Sequence, residues 1–498
     1  MKYIYKIVFT VFIITSFSAC SLEVENVNNP DTEEVLSSPE GVKNLTAGLF
    51  NKWFQSEQHN FGSPGPAMWV MADWGTVTFA NYGTVDASAE PRIFLNNRAE
   101  HNHHAIIRNF WRNMYAVITT SNDILQAIDR GVDLGDDEQM VKGMSYFMQG
   151  LGNGYIGLVY DKGYPSDETV EDYATLTMQP YDVSIDMAIS ELEKAIEVFD
   201  NNNFTLPEAW MTRPFTNQDL AKIAHSFIAR LMVYRARNTT QAAATDWQLV
   251  LNHALAGITE DFTIEGDGNI SGRKWMSWYK YYMARPSWGK VDMRVIHMID
   301  PNLPANWPDG GLAVLPFDGI MDSPDFRVTT DFQHNTNNNR PERGMYRWST
   351  YRYKRFDDYI NANFFAPVVM MRKAEIDLFK AEAYLNLGQL AEATAIINSG
   401  TRINRGGLAP INEDATEIAN AIIYERTIEL PLTGMGIEYF DMRRRGQLQD
   451  GSLLHFPIPA QQLEILGEPI YTFGGVQPQY GVPNEDVSVN GWYAAPTN

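Results

Sequence analysis

Between residues 38 and 258, apolar residues recur at every third or fourth position, and this spacing predicts a succession of amphipathic helices. The first is predicted from Ser38 to about Ser56, because serine followed by proline is typical of a helix N-terminus. Further helices are predicted on the apolar stripes at 106–128, 140–158, 185–199, 224–234 and 247–258. The stripes differ in length, so we expect a divergent scaffold of helix pairs.

Residues 370–398 carry the clearest pattern in the chain, two helices joined by a glycine turn. The first helix places these apolar residues on one face: Met371, Ala374, Leu378, Ala381 and Leu385. Gly388 ends it, since glycine adopts the left-handed conformation of a helix C-terminus without strain, and a second helix begins at Leu390. The pattern is typical of a tetratricopeptide-like hairpin, which needs further helix pairs stacked against it to bury its apolar face.

The helical pattern breaks down between Asp261 and Pro367, where Gly, Pro, Asn and aromatic residues dominate. Here we expect loops, one helix around Lys290–Ile299 and a short strand within Met345–Phe356. Loops of this length inside a compact protein are usually functional. One more helix is predicted at Ala415–Leu430, followed by a turn-rich tail from Gly451.

The N-terminus resembles a lipoprotein signal. Lys2 and Lys6 precede the short apolar run Ile7–Ile14, and small residues lead to Cys20, the only cysteine of the chain. The apolar run is too short to span a bilayer, and an ordinary secretory signal is the alternative. We expect residues 1–19 to be removed, Cys20 to be lipidated, and residues 20–35 to form a lipidated tether.

Composition narrows the classes of function. The formal net charge of −22 and the pI of about 4.8 argue against nucleic acid and against an anionic membrane surface as partners. No Ser- or Gly-rich linker interrupts the chain, so we expect a single domain over 36–498. It would comprise a helical scaffold at about 36–260 and 368–430, a loop-rich ligand-side region at about 261–367, and a C-terminal tail at 431–498.

Three motifs have both a chemical and a structural interpretation. Residues 152–157 spell GxGxxG, but no strand precedes them, so close helix packing is favoured over a dinucleotide site. His101, His103 and His104 with Glu100 could bind a metal, although a polar loop is favoured because no zinc-type ligand set follows. Residues 265–269 carry oxygen ligands without EF-hand spacing, and a turn is favoured. We therefore predict neither a metal nor a cofactor.

Motifs near the C-terminus resemble the SusD/RagB family of surface glycan-binding lipoproteins. They are Tyr424–Leu430 (YERTIEL), Gly434, Tyr439–Gly446 (YFDMRRRG), Leu454–Pro459 (LHFPIP) and Glu464. Residues 160–165 and the hairpin at 370–398 also fit, so the resemblance covers nearly the whole mature chain. Glu438 departs from the family pattern, which usually has a basic residue there. We expect Arg443, Arg444 and Arg445 to pair with carboxylates of the C-terminal core.

The resemblance implies an all-α, mostly helical SusD-like fold with tetratricopeptide-like helical pairs and a loop-rich face carrying short strands. It also implies a lid or capture subunit of a SusC-like TonB-dependent transporter, binding a glycan during nutrient uptake. The chain would be lipid-anchored in the outer membrane, and Glu23 and Glu25 resemble an acidic signal for surface exposure. Catalysis is not expected, and the sequence has no nucleophile elbow or HExxH helix.

Two loop windows combine aromatic rings, which pack on the C–H faces of sugars, with polar groups for the hydroxyls. The candidate ligand-binding residues are Trp69, Asp73, Trp74, Asn81 and Tyr82 in the window 61–97, and Trp275, Trp278, Tyr281, Tyr282, Arg285 and Trp288 in the window 275–288. Trp111 and Trp247 lie on helical stripes and should be core. The alternative function is a peptide- or protein-binding helical-repeat scaffold for non-sugar nutrients.

Overall fold

The computed structural model describes residues 32–59, 62–77, 81–268, 274–305, 317–340 and 349–476. Cys20 and most of the predicted tether lie outside these residues. The helices are α1 (Thr32–Leu36), α2 (Pro39–Glu57), α3 (Gly65–Met71), α4 (Thr84–Ala87), α5 (Ala105–Asp129), α6 (Glu138–Val159), α7 (Tyr181–Asn201), α8 (Glu208–Met211), α9 (Asn217–Tyr234), α10 (Thr239–Ala243), α11 (Trp247–Ala256), α12 (Trp278–Ala284), α13 (Met293–Ile299), α14 (Arg327–Thr330), α15 (Asp357–Asn361), α16 (Lys373–Asn386), α17 (Leu390–Ser399), α18 (Thr401–Asn404), α19 (Ala415–Glu429), α20 (Ile437–Arg444) and α21 (Ala460–Leu466). Within the described residues, no helix is both long enough and apolar enough to cross a membrane.

The strands of the described residues are short and pair as antiparallel two-stranded ribbons. The ribbons are β1 (Gly75–Val77) with β7 (Gly289–Val291), β2 (Lys162–Gly163) with β3 (Gln179–Pro180), β4 (Thr205–Leu206) with β5 (Phe215–Thr216), β6 (Phe262–Glu265) with β10 (Pro367–Met371), and β8 (Phe332–His334) with β9 (Tyr351–Tyr353). Two of these ribbons, β1–β7 and β6–β10, join segments that are far apart in the chain, whereas the other three join nearby segments. The predicted mostly helical fold with short strands is confirmed.

The long helices stack in chain order, with α5 against α6, α6 against α7, α7 against α9, α9 against α11 and α11 against the hairpin α16–α17. The prediction that further helix pairs stack on this hairpin is confirmed. Local chemistry at the helix ends also agrees with the sequence. Ser38 accepts a hydrogen bond from the Gly41 N–H at 3.0 Å, and Gly388 after α16 has a φ of +76°.

The GxGxxG run lies inside α6, where its glycines allow neighbouring helices to approach. A Cβ atom at Gly157 would lie 2.5 Å from Ile185 Cγ1 of α7, and one at Gly152 would lie 2.6 Å from Ile118 Cγ1 of α5. Both distances are shorter than a carbon–carbon van der Waals contact. The helix-packing interpretation of this motif is therefore confirmed.

Two predicted helix boundaries are wrong because the residues at these boundaries lie in paired strands. Met371 lies in β10, opposite Phe262 of β6, so the first helix of the hairpin begins only at Lys373. Lys290 lies in β7, opposite Thr76 of β1, so the helix predicted from that residue starts later, at Met293. Within the predicted strand at 345–356, residues 351–353 form β9, whereas 345–348 lie outside the described residues.

Several short helices were not predicted, and three of them lie in the candidate windows or in the C-terminal motif. In the window 61–97, the Gly65-Pro66 pair begins α3, since proline is well suited to the first turn of a helix. In the window 275–288, residues 278–284 form α12. The motif at 439–446 lies largely in α20, whose buried charged side chains obscure any apolar stripe.

Arginine–carboxylate contacts fill the C-terminal core. Arg444 donates to both carboxylate oxygens of Glu382 at 2.8 Å, and Arg444 and Arg445 both form ion pairs with Asp441. The predicted pairing is thus confirmed for these two arginines. It is wrong for Arg443, whose guanidinium instead donates to backbone carbonyls, among them that of Leu158 at 3.0 Å.

Glu438, the departure from the family pattern, is fully buried in this core. Its Oε1 accepts from the Leu432 N–H at 2.8 Å, which holds the turn that precedes α20. Burial raises the pKa of Glu438 to about 8. The residue therefore has a structural role.

Candidate functional site

The helix α12 determines the arrangement of the second aromatic window. Ser277 caps it by accepting from the Lys280 N–H at 3.1 Å. One face of the helix, including Tyr282, is buried, whereas Trp278 and Tyr281 on the other face are half-buried. Helical spacing of three residues thus places these two rings side by side at the surface.

A continuous series of rings extends from this helix. The ring centroids of Trp278 and Tyr281 are 5.9 Å apart, and those of Tyr281 and Trp288 are 5.7 Å apart. The Arg285 guanidinium lies 4.1 Å from the Trp288 ring centroid and 5.1 Å from that of Tyr281, to whose hydroxyl it donates. Together with Tyr82, these four residues are referred to below as the aromatic surface.

Tyr82 reaches this surface because two distant segments pair. The β1–β7 ribbon sets Val77 opposite Gly289, directly after Trp288. Tyr82 then packs edge-on against Tyr282, with centroids 4.9 Å apart, and the Asn81 N–H donates to the Tyr282 hydroxyl at 3.0 Å. The two sequence windows therefore pack against each other through Tyr282.

Three candidates from the first window are wrong as ligand contacts in this conformation, because Trp69, Asp73 and Trp74 are at most 2% exposed. The two indole rings belong to the core. Asp73 forms a buried ion pair with Arg92 at 2.9 Å and accepts from Gln449, so its role is structural.

Two candidates of the second window, Tyr282 and Trp275, do not belong to the aromatic surface. Tyr282 is buried and supports Tyr82 and Trp288 from beneath, with its centroid 5.4 Å from that of Trp288. Trp275 is half-buried and packs on α2, 5.3 Å from the Phe54 ring centroid. Trp111 and Trp247 are buried, as predicted.

The sequence analysis missed a segment that borders the aromatic surface. Phe364 packs against Tyr281 with centroids 5.1 Å apart, and the Tyr359 hydroxyl accepts from the Ser277 N–H at 2.7 Å. Asn363 and Phe364 have φ values of +50° and +68°, a conformation that is uncommon for residues other than glycine. The aromatic pair Phe364-Phe365 in an otherwise polar stretch was the available signal.

The aromatic surface suits a ligand with an apolar face and several hydroxyl groups. Half-buried rings offer flat surfaces for C–H packing, and Arg285 brings guanidinium donors to the same place. The histidine cluster offers no comparable arrangement, since His101 contacts Asp86 at 3.8 Å and His104 is buried.

Comparison of the sequence with known protein families finds one match. Residues 316–462 match the SusD family. Over these residues the sequence is similar to the SusD family, and the fold is SusD-like. No curated protein sequence matches the chain.

Solved structures support this SusD-like fold over most of the chain. A SusD superfamily protein from Parabacteroides distasonis has a TM-score of 0.62 at 15% identity, covering 86% of this chain and 97% of that one. A SusD superfamily protein from Bacteroides vulgatus has a TM-score of 0.57 at 16% identity, with the same coverage of both chains. A SusD-like carbohydrate binding protein from Bacteroides vulgatus has a TM-score of 0.50 at 15% identity, covering 82% of this chain and 84% of that one.

Proposed function

We propose that this SusD-like protein binds a glycan on the aromatic surface. The observation that supports this most strongly is the series Trp278, Tyr281, Trp288, with Arg285 packed against two of the rings. Sugar rings pack their C–H faces on such rings while a guanidinium donates to their hydroxyls. A carbohydrate binding protein among the structures with a similar fold agrees with this proposal.

The wider role that we propose follows from the family resemblance. The protein would be anchored to the outer membrane through a lipid on Cys20 and would act as the lid or capture subunit of a SusC-like TonB-dependent transporter. The stacked helix pairs would dock on the barrel, leaving the aromatic surface for the ligand. Co-purification of a barrel protein from gently solubilised outer membranes tests this arrangement, and isolation of the protein as a lone monomer would contradict it.

Glycan binding is tested first by a glycan array and then by calorimetry on the best hit. Trp278→Ala should weaken binding by on the order of 1–3 kcal/mol, which is roughly 5- to 150-fold in affinity, because a stacking ring and its contact area are lost. The melting temperature should change little, since Trp278 is half-buried at the surface.

Two control variants make this test specific. Phe326→Ala removes an aromatic ring that is 65% exposed beside α14 and should leave the affinity unchanged. Trp247→Ala removes a core ring and should cost roughly 3–5 kcal/mol of folding free energy. If Trp278→Ala lowers stability as Trp247→Ala does, with affinity per folded molecule unchanged, Trp278 is not a platform. Binding of peptides in place of any glycan would favour the helical-repeat scaffold.

A further inference from the structure

A second polar site lies among helices α5, α6 and α7. Asp167 and Glu168, on the segment after β2, meet Glu191 of α7, and one carboxylate oxygen from each lies within 4.8 Å of the others. Lys194 contacts Glu168 at 3.2 Å and Glu191 at 3.0 Å. Within this group of four, three carboxylates thus face one ammonium group, so negative charge remains in excess.

Two buried oxygens at this site have no hydrogen-bond donor among the described residues. Glu191 is 2% exposed, and its Oε2 has no partner. Gln149 is fully buried and its Oε1 also has no partner, although its Nε2 donates to Glu168 Oε2 at 3.1 Å, which places this amide beside the carboxylates. Buried acceptors normally have a partner, so these two oxygens are available to a cation or to another group that binds oxygen.

The acidic segment is held in place by hydrogen bonds from the helices. Gln126 of α5 donates to the backbone carbonyls of Glu168 and Val170, both at 3.0 Å. Asn153 of α6 donates to the Ser166 carbonyl at 3.1 Å. The carboxylates are therefore positioned by the scaffold before any ligand binds, which lowers the entropy cost of binding.

We propose that Asp167, Glu168, Glu191 and the amide oxygen of Gln149 bind a calcium ion. The available ligands are all oxygen atoms, which suits a hard cation and not zinc, whose sites use mainly Cys and His. Calcium accepts six to eight oxygens in flexible geometry, including carboxylates, amides and waters, whereas magnesium demands a near-ideal octahedron.

A further feature agrees with cation binding. The Lys194 side chain is 37% exposed, so it can turn into solvent when a divalent ion replaces its ammonium group.

Terbium luminescence and calorimetry with calcium chloride test the site on the full mature protein. Tyr146 lies close enough to sensitise terbium, since Lys194 Nζ is 5.3 Å from its ring centroid. We expect terbium emission on tyrosine excitation that calcium displaces. Tyr146→Phe should reduce this emission and leave calcium binding by calorimetry unchanged.

Charge-neutralising variants locate the ion. Glu191→Gln and Asp167→Asn should each weaken calcium binding by at least about tenfold, because each removes a charged ligand. Glu193→Gln is the matched control, since it makes the same change at an exposed position on the same helix and should leave the affinity unchanged. Calcium binding that is absent from the wild type, or equal in Glu191→Gln and wild type, would overturn the proposal.

If removal of a buried carboxylate prevents folding, Lys194→Met tests the site instead. Removing the competing ammonium should tighten calcium binding, whereas unchanged or weaker binding would show that calcium does not take the place of the ammonium group and would overturn the proposal. These outcomes are independent of glycan binding, which involves the aromatic surface and should respond to Trp278→Ala with or without calcium.

Discussion

Arg285 shows how one side chain can define a binding surface. Its guanidinium packs on Trp288 and Tyr281 and so keeps both rings in one orientation. The same group has donors for hydroxyls, which an aromatic ring alone cannot supply. Arg285 is therefore the residue where the ring packing and the polar contacts of the aromatic surface meet.

At this position lysine is not an equivalent of arginine. Arg285→Lys should weaken glycan binding roughly tenfold, because a lysine ammonium is compact and cannot pack flat on two rings. Calorimetry with the glycan identified by the array measures the change. Arg213→Lys is a matched control, since Arg213 also packs on a ring, 4.3 Å from the centroid of Phe215, a residue that is not part of the aromatic surface. Equal affinities for Arg285→Lys and wild type would remove Arg285 from the site.

At the scale of elements, α6 is the centre of the first half of the scaffold. Its glycines meet the preceding helix α5 on one side and the following helix α7 on another, so its packing depends on the absence of side chains at both places. Gly157 has the least room, because a Cβ atom there would also lie 2.7 Å from the Tyr181 carbonyl oxygen, which is backbone and cannot rotate away. Substitution of these glycines by larger residues should therefore be poorly tolerated.

Gly157→Ala should destabilise the protein by about 1–3 kcal/mol, the typical cost of overpacking a close helix contact. Gly48→Ala is the matched control within α2, where an added Cβ atom would meet nothing within 4 Å. That variant should instead stabilise the protein by up to about 1 kcal/mol, because alanine has the higher helix propensity. Chemical denaturation of both variants checks the difference, and equal effects would contradict the close-packing interpretation.

At the scale of the whole molecule, ion pairs join the loop-rich region to the C-terminal helices. Glu429 of α19 contacts Arg327 at 3.0 Å, Arg355 at 3.2 Å and Arg405. Burial alone would raise its pKa, but the three arginines outweigh burial and lower the pKa of Glu429 to about 2. The carboxylate is thus charged in the fold well below the pH at which it is protonated in the unfolded chain.

This linkage predicts how stability depends on acid. A carboxylate whose pKa is depressed in the fold contributes stability above its unfolded value of about 4.5, and the contribution is lost as the pH falls towards 2. The loss should be on the order of 3 kcal/mol for Glu429. Glu429→Gln should therefore flatten the pH dependence of the unfolding free energy between pH 5 and 2, measured by urea titration. The same change at exposed Glu413 should not, and an equal slope in all three proteins would refute the assignment.

The predicted lipid attachment at Cys20 would anchor the whole molecule to the membrane. Cys20→Ala should abolish lipid attachment and release the protein in soluble or periplasmic form, because the only thiol is then absent. Metabolic palmitate labelling measures this, and unchanged labelling would contradict the lipoprotein prediction. Cys20→Ala should leave glycan binding by the purified protein unchanged, since Cys20 is not among the residues proposed to bind the glycan.

The sequence by itself determined the local features of the scaffold. Apolar spacing predicted the helices α5, α6, α7, α9 and α11, and the chemistry of Ser38 and Gly388 predicted where helices begin and end. These features depend on residues within a few positions of each other, so no distant segment is needed to fix them. The same holds for the core positions of Trp111 and Trp247, which follow from their place on an apolar stripe.

Only the tertiary structure decided which loop aromatics reach the surface. Trp74 and Trp278 lie in similar Gly-, Pro- and aromatic-rich windows, yet Trp74 is buried and Trp278 is half-buried. The difference arises because Tyr353 and the β1–β7 ribbon cover the region of Trp74, whose carbonyl accepts from the Tyr353 hydroxyl at 2.9 Å. Burial of a loop side chain is set by segments hundreds of residues away, and local composition carries no information about them.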